Sequence, residues 1–286
     1  MTNIKSFLGA AGAAAIAALS MSTAALAADL GTPAAAPAVE ERKFGYSVTI
    51  SGTSDYIFRG ISYTNSDPAF QPFIEFTYGT PNLTWYLDFW GSNIAEPFGP
   101  FEVDMYAGVR PVTGPVAWDL GVLYYTYPNN SIGEDCVGTP GCNTGDGDYV
   151  EFKLAATYTT DIKNLAVGAT GYFTPDQGLN WGQTETIEGN AAYTLPTYHT
   201  FTPVISGVIG YTHGDSGFSP ILGATGPNDL TSYVYWNAGL KLTVDKYFMD
   251  FRYWDTNIDK SELQAAGGVF SNVDSRFVFT AGVNLP

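Results

Sequence analysis

The sequence predicts an all-β chain, an up-and-down antiparallel transmembrane β-barrel of about twelve strands. Three observations carry that expectation: a composition of strand formers, alternation of apolar and polar residues with period two, and connections that alternate between short and long. Aromatic residues make up 15% of the 286 and charged residues only 14%, with 32 Gly and 17 Pro. That is too aromatic for a disordered chain, and a net charge of −16 has the wrong sign for a nucleic-acid binder. Beyond the N-terminus no run approaches the roughly 20 apolar residues of a spanning helix. Tyr, Phe, Trp and Thr favour pleated, half-buried surfaces.

The elements follow in order. Residues 1–27 read as a secretory signal peptide: Lys5, an apolar stretch from Phe7 to Leu19, and small residues at Ala25-Leu26-Ala27. Residues 28–43 are Ala/Pro-rich and read as a flexible periplasmic tail. The barrel is expected over 44–286, with strands near 44–60, 68–80, 82–93, 100–112, 115–127, 148–159, 164–174, 185–195, 198–212, 230–243, 246–256 and 274–285. Val116, Trp118, Leu120, Val122 and Tyr124 share one face of a strand, with Ala117, Asp119, Gly121, Leu123 and Tyr125 on the other. Every second connection is short, for example Thr80-Pro81-Asn82 and Val244-Asp245-Lys246, while those around 60–67 and 128–147 are long. Short periplasmic turns opposite longer outer loops are the habit of outer-membrane barrels. A soluble sandwich does not sort its loops by length, and the repeat of a propeller is missing from this sequence.

The two faces differ in charge. The polar face carries Asp55, Arg59, Glu75, Asp88, Glu102, Asp104, Arg110, Asp119, Glu151, Lys153, Glu188, Lys241, Asp250, Arg252 and Arg276. So many ionisable groups at mid-strand are incompatible with a dry core. Turning the apolar face to lipid and this face to a wet lumen satisfies both. The pore-lining candidates are Asp55, Arg59, Glu75, Asp88, Glu102, Asp104, Arg110, Asp119, Glu151, Lys153 and Arg252. Such charges either pair structurally across the lumen or line a conduit in which carboxylates favour cations. The long-loop side is acidic, with Lys260 as its one base. That rim either concentrates cations, stays solvated, or holds divalent cations that bridge to lipopolysaccharide.

Cys136 and Cys142 share the longest loop, and in an exported chain they are expected to form a disulfide. A metal site is not expected, because Gly145-Asp146-Gly147-Asp148 lacks the spacing of a calcium loop. His213 beside Asp215 is the one catalytic candidate, and no G-x-S-x-G nucleophile motif accompanies it. Trp85, Trp118 and Trp236 suit interfacial girdles. Trp90, Tyr106, Tyr125, Tyr149, Tyr233, Tyr235 and Trp254 are expected to point inward and fill space.

Several motifs occur together: Ser54-Asp55-Tyr56-Ile57-Phe58-Arg59-Gly60-Ile61-Ser62, Asp67-Pro68-Ala69-Phe70-Gln71, Trp90-Gly91-Ser92-Asn93 and Glu102-Val103-Asp104-Met105-Tyr106-Ala107-Gly108. In these the chain resembles the proteobacterial TorF-like porin family, also known as Gcw_chp proteins of unknown function. The resemblance implies an outer-membrane barrel and a channel, and supplies neither substrate nor functional residues. One departure is the end, Asn284-Leu285-Pro286, where outer-membrane barrels commonly finish on an aromatic residue.

The expected function is passive diffusion of ions or small polar solutes across the outer membrane of a Gram-negative bacterium, with a lean toward cations. Its partners would be membrane lipid, lipopolysaccharide and the solutes themselves, without nucleic acid, cofactor or enzymatic activity. Two alternatives stand: a closed scaffold whose acidic loops bind divalent cations or a surface partner, and an outer-membrane hydrolase at His213.

Overall fold

In the computed structural model the described residues are 42–95, 99–128, 147–176, 182–214, 232–260 and 270–285. The expected signal peptide, nearly all of the tail, Cys136, Cys142 and Asp215 lie outside them.

Period-two alternation produces the expected sheet. The strands are β1 (Lys43–Thr53), β2 (Ile57–Phe58), β3 (Ile61–Ser62), β4 (Ala69–Thr80), β5 (Leu83–Asn93), β6 (Phe101–Thr113), β7 (Val116–Thr126), β8 (Tyr149–Thr159), β9 (Leu165–Thr174), β10 (Thr184–Thr194), β11 (Thr202–Gly214), β12 (Ser232–Val244), β13 (Tyr247–Thr256) and β14 (Arg276–Leu285). All but β2 and β3 form one closed antiparallel barrel of twelve strands, each paired with its neighbours in sequence order. Closure comes from β14 on β1, with Leu285 opposite Val48 and Thr280 opposite Thr53. The unusual chain end is seated in this ladder, where Thr49 donates to the Asn284 side chain at 2.9 Å. A closed ladder leaves no unpaired edge, the condition for crossing lipid with strands.

The faces sort as the charges demand. On β7 and β8 the side chains of Leu120, Val122, Phe152 and Leu154 are 43, 42, 48 and 53% exposed, whereas Asp119 and Glu151 are 3 and 1% exposed. The apolar residues form the outer surface and the ionised ones the interior.

One expectation fails. The first strand does not run to Gly60 but leaves the wall after Thr53. Residues 57–62 instead form a separate two-stranded hairpin, β2 on β3, with Ile57 opposite Ser62. Its two-residue turn is Arg59-Gly60, with φ of 48° and 84°. Positive φ at both central positions is the type I′ geometry, whose twist matches that of the flanking strands.

Candidate functional site

The hairpin is not an outer loop. Tyr56, Ile57, Phe58, Arg59, Ile61, Ser62, Tyr63 and Thr64 are all under 9% exposed. Of these, Tyr56, Ile57, Phe58, Ile61 and Tyr63 pack with wall residues Tyr86, Tyr106, Leu123, Tyr125, Tyr149, Tyr235 and Trp254 in one apolar cluster. The segment therefore plugs the outer half of the lumen. Its apolar side chains, three in a row at Tyr56-Ile57-Phe58, have no lipid to face and meet inward-pointing tyrosines instead.

Polar contacts set its position. The Asp55 carboxylate accepts from Ser62 Oγ at 2.6 Å and Thr64 Oγ1 at 2.7 Å, folding the segment back on itself, and from Arg276 Nη1 at 2.5 Å, tying it to β14. At the far tip Arg59 reaches Glu151 on β8, which also accepts from Tyr125 and Thr174. The Arg59 guanidinium lies over the Tyr172 ring of β9, 4.6 Å from its centroid. Burial works against its charge, and the Glu151 carboxylate more than offsets this, holding its pKa above the ordinary value. Tyr56 and Tyr63 are pushed up by burial and then by the Glu102 carboxylate, so both remain protonated donors. Gly60 fits against β12 because it lacks a side chain: a Cβ there would stand 2.8 Å from Tyr235 Cβ.

Below the plug the wall is an ion network. Arg110 Nη1 contacts Glu75 at 2.5 Å, with Asp88 at 3.6 Å and Asp119 at 3.7 Å from its other nitrogens. Lys153 pairs with Asp119 at 2.7 Å, so the network spans β4 to β8. Tyr86 lies under the Arg110 guanidinium, 4.0 Å from ring centroid to carbon, and its hydroxyl donates to Asp119 at 2.8 Å. The phenol crosses the paired Gly108 and Gly121, where a Cβ would come within 2.6 and 2.3 Å of its oxygen. Across the lumen Arg252 donates to Asn237, Ser206 and Asp250. Glu102 and Asp104, on β6, accept from Tyr127 and Tyr106. All eleven pore-lining candidates thus face the interior. Asp55 and Arg59 do so from the plug rather than the wall, and most of the acids are engaged by a base or a tyrosine.

Between the plug and the β12–β13 wall lies a cavity of roughly 710 Å³, including its open mouth. Tyr56 and Ile57 roof it, Ser51, Thr53, Gln71, Phe73 and Trp90 line one side, and Lys241, Phe248, Asp250, Arg252 and Trp254 the other. Lys241 belongs to the polar face of the sequence but not to its pore-lining candidates. The signal was there: it opposes Asp250 in the ladder, yet Arg252, two residues along on the same face, competes for that carboxylate.

The histidines lie apart from this lumen. His213 is exposed at the outer end of β11, opposite Glu185 of β10, and His199 is exposed in a short turn. Trp85 is 55% exposed on the outer surface, while Tyr106, Tyr125, Tyr149, Tyr233, Tyr235 and Trp254 are buried inside.

Twelve closed strands, apolar outside and ionised inside, with a hairpin seated in the lumen, define an outer-membrane-type β-barrel. The chain belongs to the family described as bacterial proteins of unknown function (Gcw_chp), whose family model matches residues 37–284. No curated protein matches the sequence. Solved structures of similar fold include the NanC porin, 11% identical at a TM-score of 0.46, with 85% of this chain and 100% of that chain covered. LpxR from Salmonella typhimurium is 10% identical at a TM-score of 0.47, with 84% of this chain and 99% of that one covered. At such identities the likeness is one of fold alone.

Proposed function

We propose that this protein is a passive outer-membrane channel for ions or small polar solutes, as its TorF-like resemblance implies, and that its own first loop closes the outer mouth in the state described. The observation that carries the reading is how the lumen is filled. A barrel serving only as a scaffold can fill its interior with wall side chains. Here the outer half is filled by a separate chain segment, held by non-covalent polar contacts above a charged cavity. Removing or shifting that segment would leave an aqueous path lined by ionised groups.

The same geometry refines selectivity. Rings of unpaired carboxylate favour cations, but the wall acids are mostly neutralised by Arg59, Arg110, Lys153, Arg252 and Arg276. A lean toward cations then rests on the acidic outer loops. Lipid and lipopolysaccharide surround the apolar belt, and neither cofactor nor catalytic residue is assigned. The closed scaffold is the second reading, favoured by the complete burial of the hairpin.

Planar-bilayer recording in asymmetric KCl tests the proposal. Wild-type protein is expected to give small or brief conductance steps. A variant with Tyr56–Tyr63 replaced by a short Gly-Ser link is expected to give larger, long-lived ones. Silence from both, in reconstitutions shown to contain folded barrel, would overturn the channel and leave the scaffold.

A further inference from the structure

Four ionised residues line the lumen cavity: Asp55, Asp250, Lys241 and Arg252. Asp55 is bound to Arg276, and Asp250 to Arg252 at 3.0 Å. Arg252 is also fixed by Asn237 Oδ1 at 2.5 Å and Ser206 Oγ at 2.9 Å. It packs over Gly239, where a Cβ would come within 3.1 Å of the guanidinium carbon. That leaves Lys241. It is 5% exposed and, among the described residues, donates no hydrogen bond and joins no ion pair. Its ammonium rests 4.1 Å from the centre of the Phe248 ring, on the cavity wall.

An ammonium that faces a cavity without a hydrogen-bonded protein partner is free to receive one from an occupant, and a ring face satisfies only part of its charge. Its remaining valence is directed to whatever enters the cavity. The rest of the lining specifies that occupant. Phe73, Trp90, Phe248 and Trp254 supply aromatic surface, while Ser51, Thr53 and Gln71 supply hydrogen-bonding groups. Apolar walls with a few placed polar groups are the usual form of a small-molecule site.

We infer that the lumen beneath the plug is a binding site for a small organic anion, a carboxylate on a ring-shaped body, with Lys241 receiving the carboxylate and the aromatic side chains receiving the ring. The inference deepens the channel reading and rests on it for the route by which solute arrives. Binding at equilibrium needs no passage through the barrel, so the two can fail separately.

Calorimetric titration of the full-length barrel in detergent micelles tests it, with benzoate as probe and benzyl alcohol and benzylamine as its uncharged and cationic counterparts. Benzoate is expected to bind saturably, at least tenfold tighter than benzyl alcohol, with benzylamine weaker still. Lys241→Met, shown to be folded by its heat-modifiable gel mobility, is expected to erase the preference for benzoate, and Lys241→Arg to keep it. Absence of benzoate binding to wild-type protein, or equal affinity for all three probes, overturns the site even if Lys241→Met fails to fold. Benzoate binding without conductance would leave the site standing and sink the channel; conductance without benzoate binding would do the reverse.

Discussion

Arg59 and Glu151 meet across the lumen: one guanidinium nitrogen at the hairpin tip donates to both carboxylate oxygens, at 2.8 and 2.9 Å. The hairpin hangs from β1, and Glu151 stands on β8, five strands around a ring of twelve. The contact thus spans nearly the full bore. Both side chains are under 5% exposed, so neither can be rehydrated without moving the plug.

Glu151→Gln strands the Arg59 charge. Breaking a buried pair from one side costs about 3–5 kcal/mol, and here that cost falls on the seated form of the hairpin. The variant is expected to show more frequent and larger bilayer openings than wild type. The double variant Arg59→Met/Glu151→Met, which leaves no orphan charge, is expected to return toward the wild-type record. Unchanged conductance in Glu151→Gln would remove the latch role from this pair.

Gly60 is expected to resist substitution. At φ of 84° and against Tyr235, a Val there meets both backbone strain and a clash. Strain of this kind costs on the order of 1–3 kcal/mol. In intact cells, chymotrypsin added outside should cleave near Phe58 or Tyr63 in Gly60→Val while sparing wild-type protein. Equal resistance in both would show that the tip tolerates a side chain.

Arg110 is the shared cation of Glu75, Asp88 and Asp119. In Arg110→Gln the first two lose the base they pair with, while Asp119 keeps Lys153. The reversal potential in asymmetric KCl is expected to move toward the cation-selective value. A shift toward anions would mean that these carboxylates do not meet the permeating ion.

The outer belt should be sensitive to charge according to depth. Leu154 lies midway along β8 and Val150 near its outer end, both exposed on the apolar face. Arginine at the bilayer midplane costs about 2–4 kcal/mol and near the interface about 0–1. Denaturant unfolding in lipid vesicles should therefore rank Leu154→Arg well below Val150→Arg in stability. Equal losses would argue that this face does not contact lipid as placed.

Much of the fold was legible because a strand reports its two environments locally. Leu120 next to Asp119, or Phe152 next to Glu151, already separates lipid from lumen, and the length of each connection separates the two ends. The segment from Ser54 to Asp67 was misread for a related reason. Its apolar residues lack period two, and adjacency alone does not say that Tyr56-Ile57-Phe58 will face the interior rather than end a strand. A signal was present in the run of apolar residues on both sides of Arg59-Gly60, a two-residue turn between would-be strands.

The sequence by itself determined the barrel, its strand number and which charges face inward, because each of these is written in neighbours one or two residues apart. The tertiary structure decided which charges meet: Arg59 with Glu151 is a contact over 92 residues of chain, and Asp250, opposite Lys241 in the ladder, pairs with Arg252 instead. Those outcomes depend on the closure of the barrel and the inward fold of one loop, which set distances across a bore that local periodicity cannot measure.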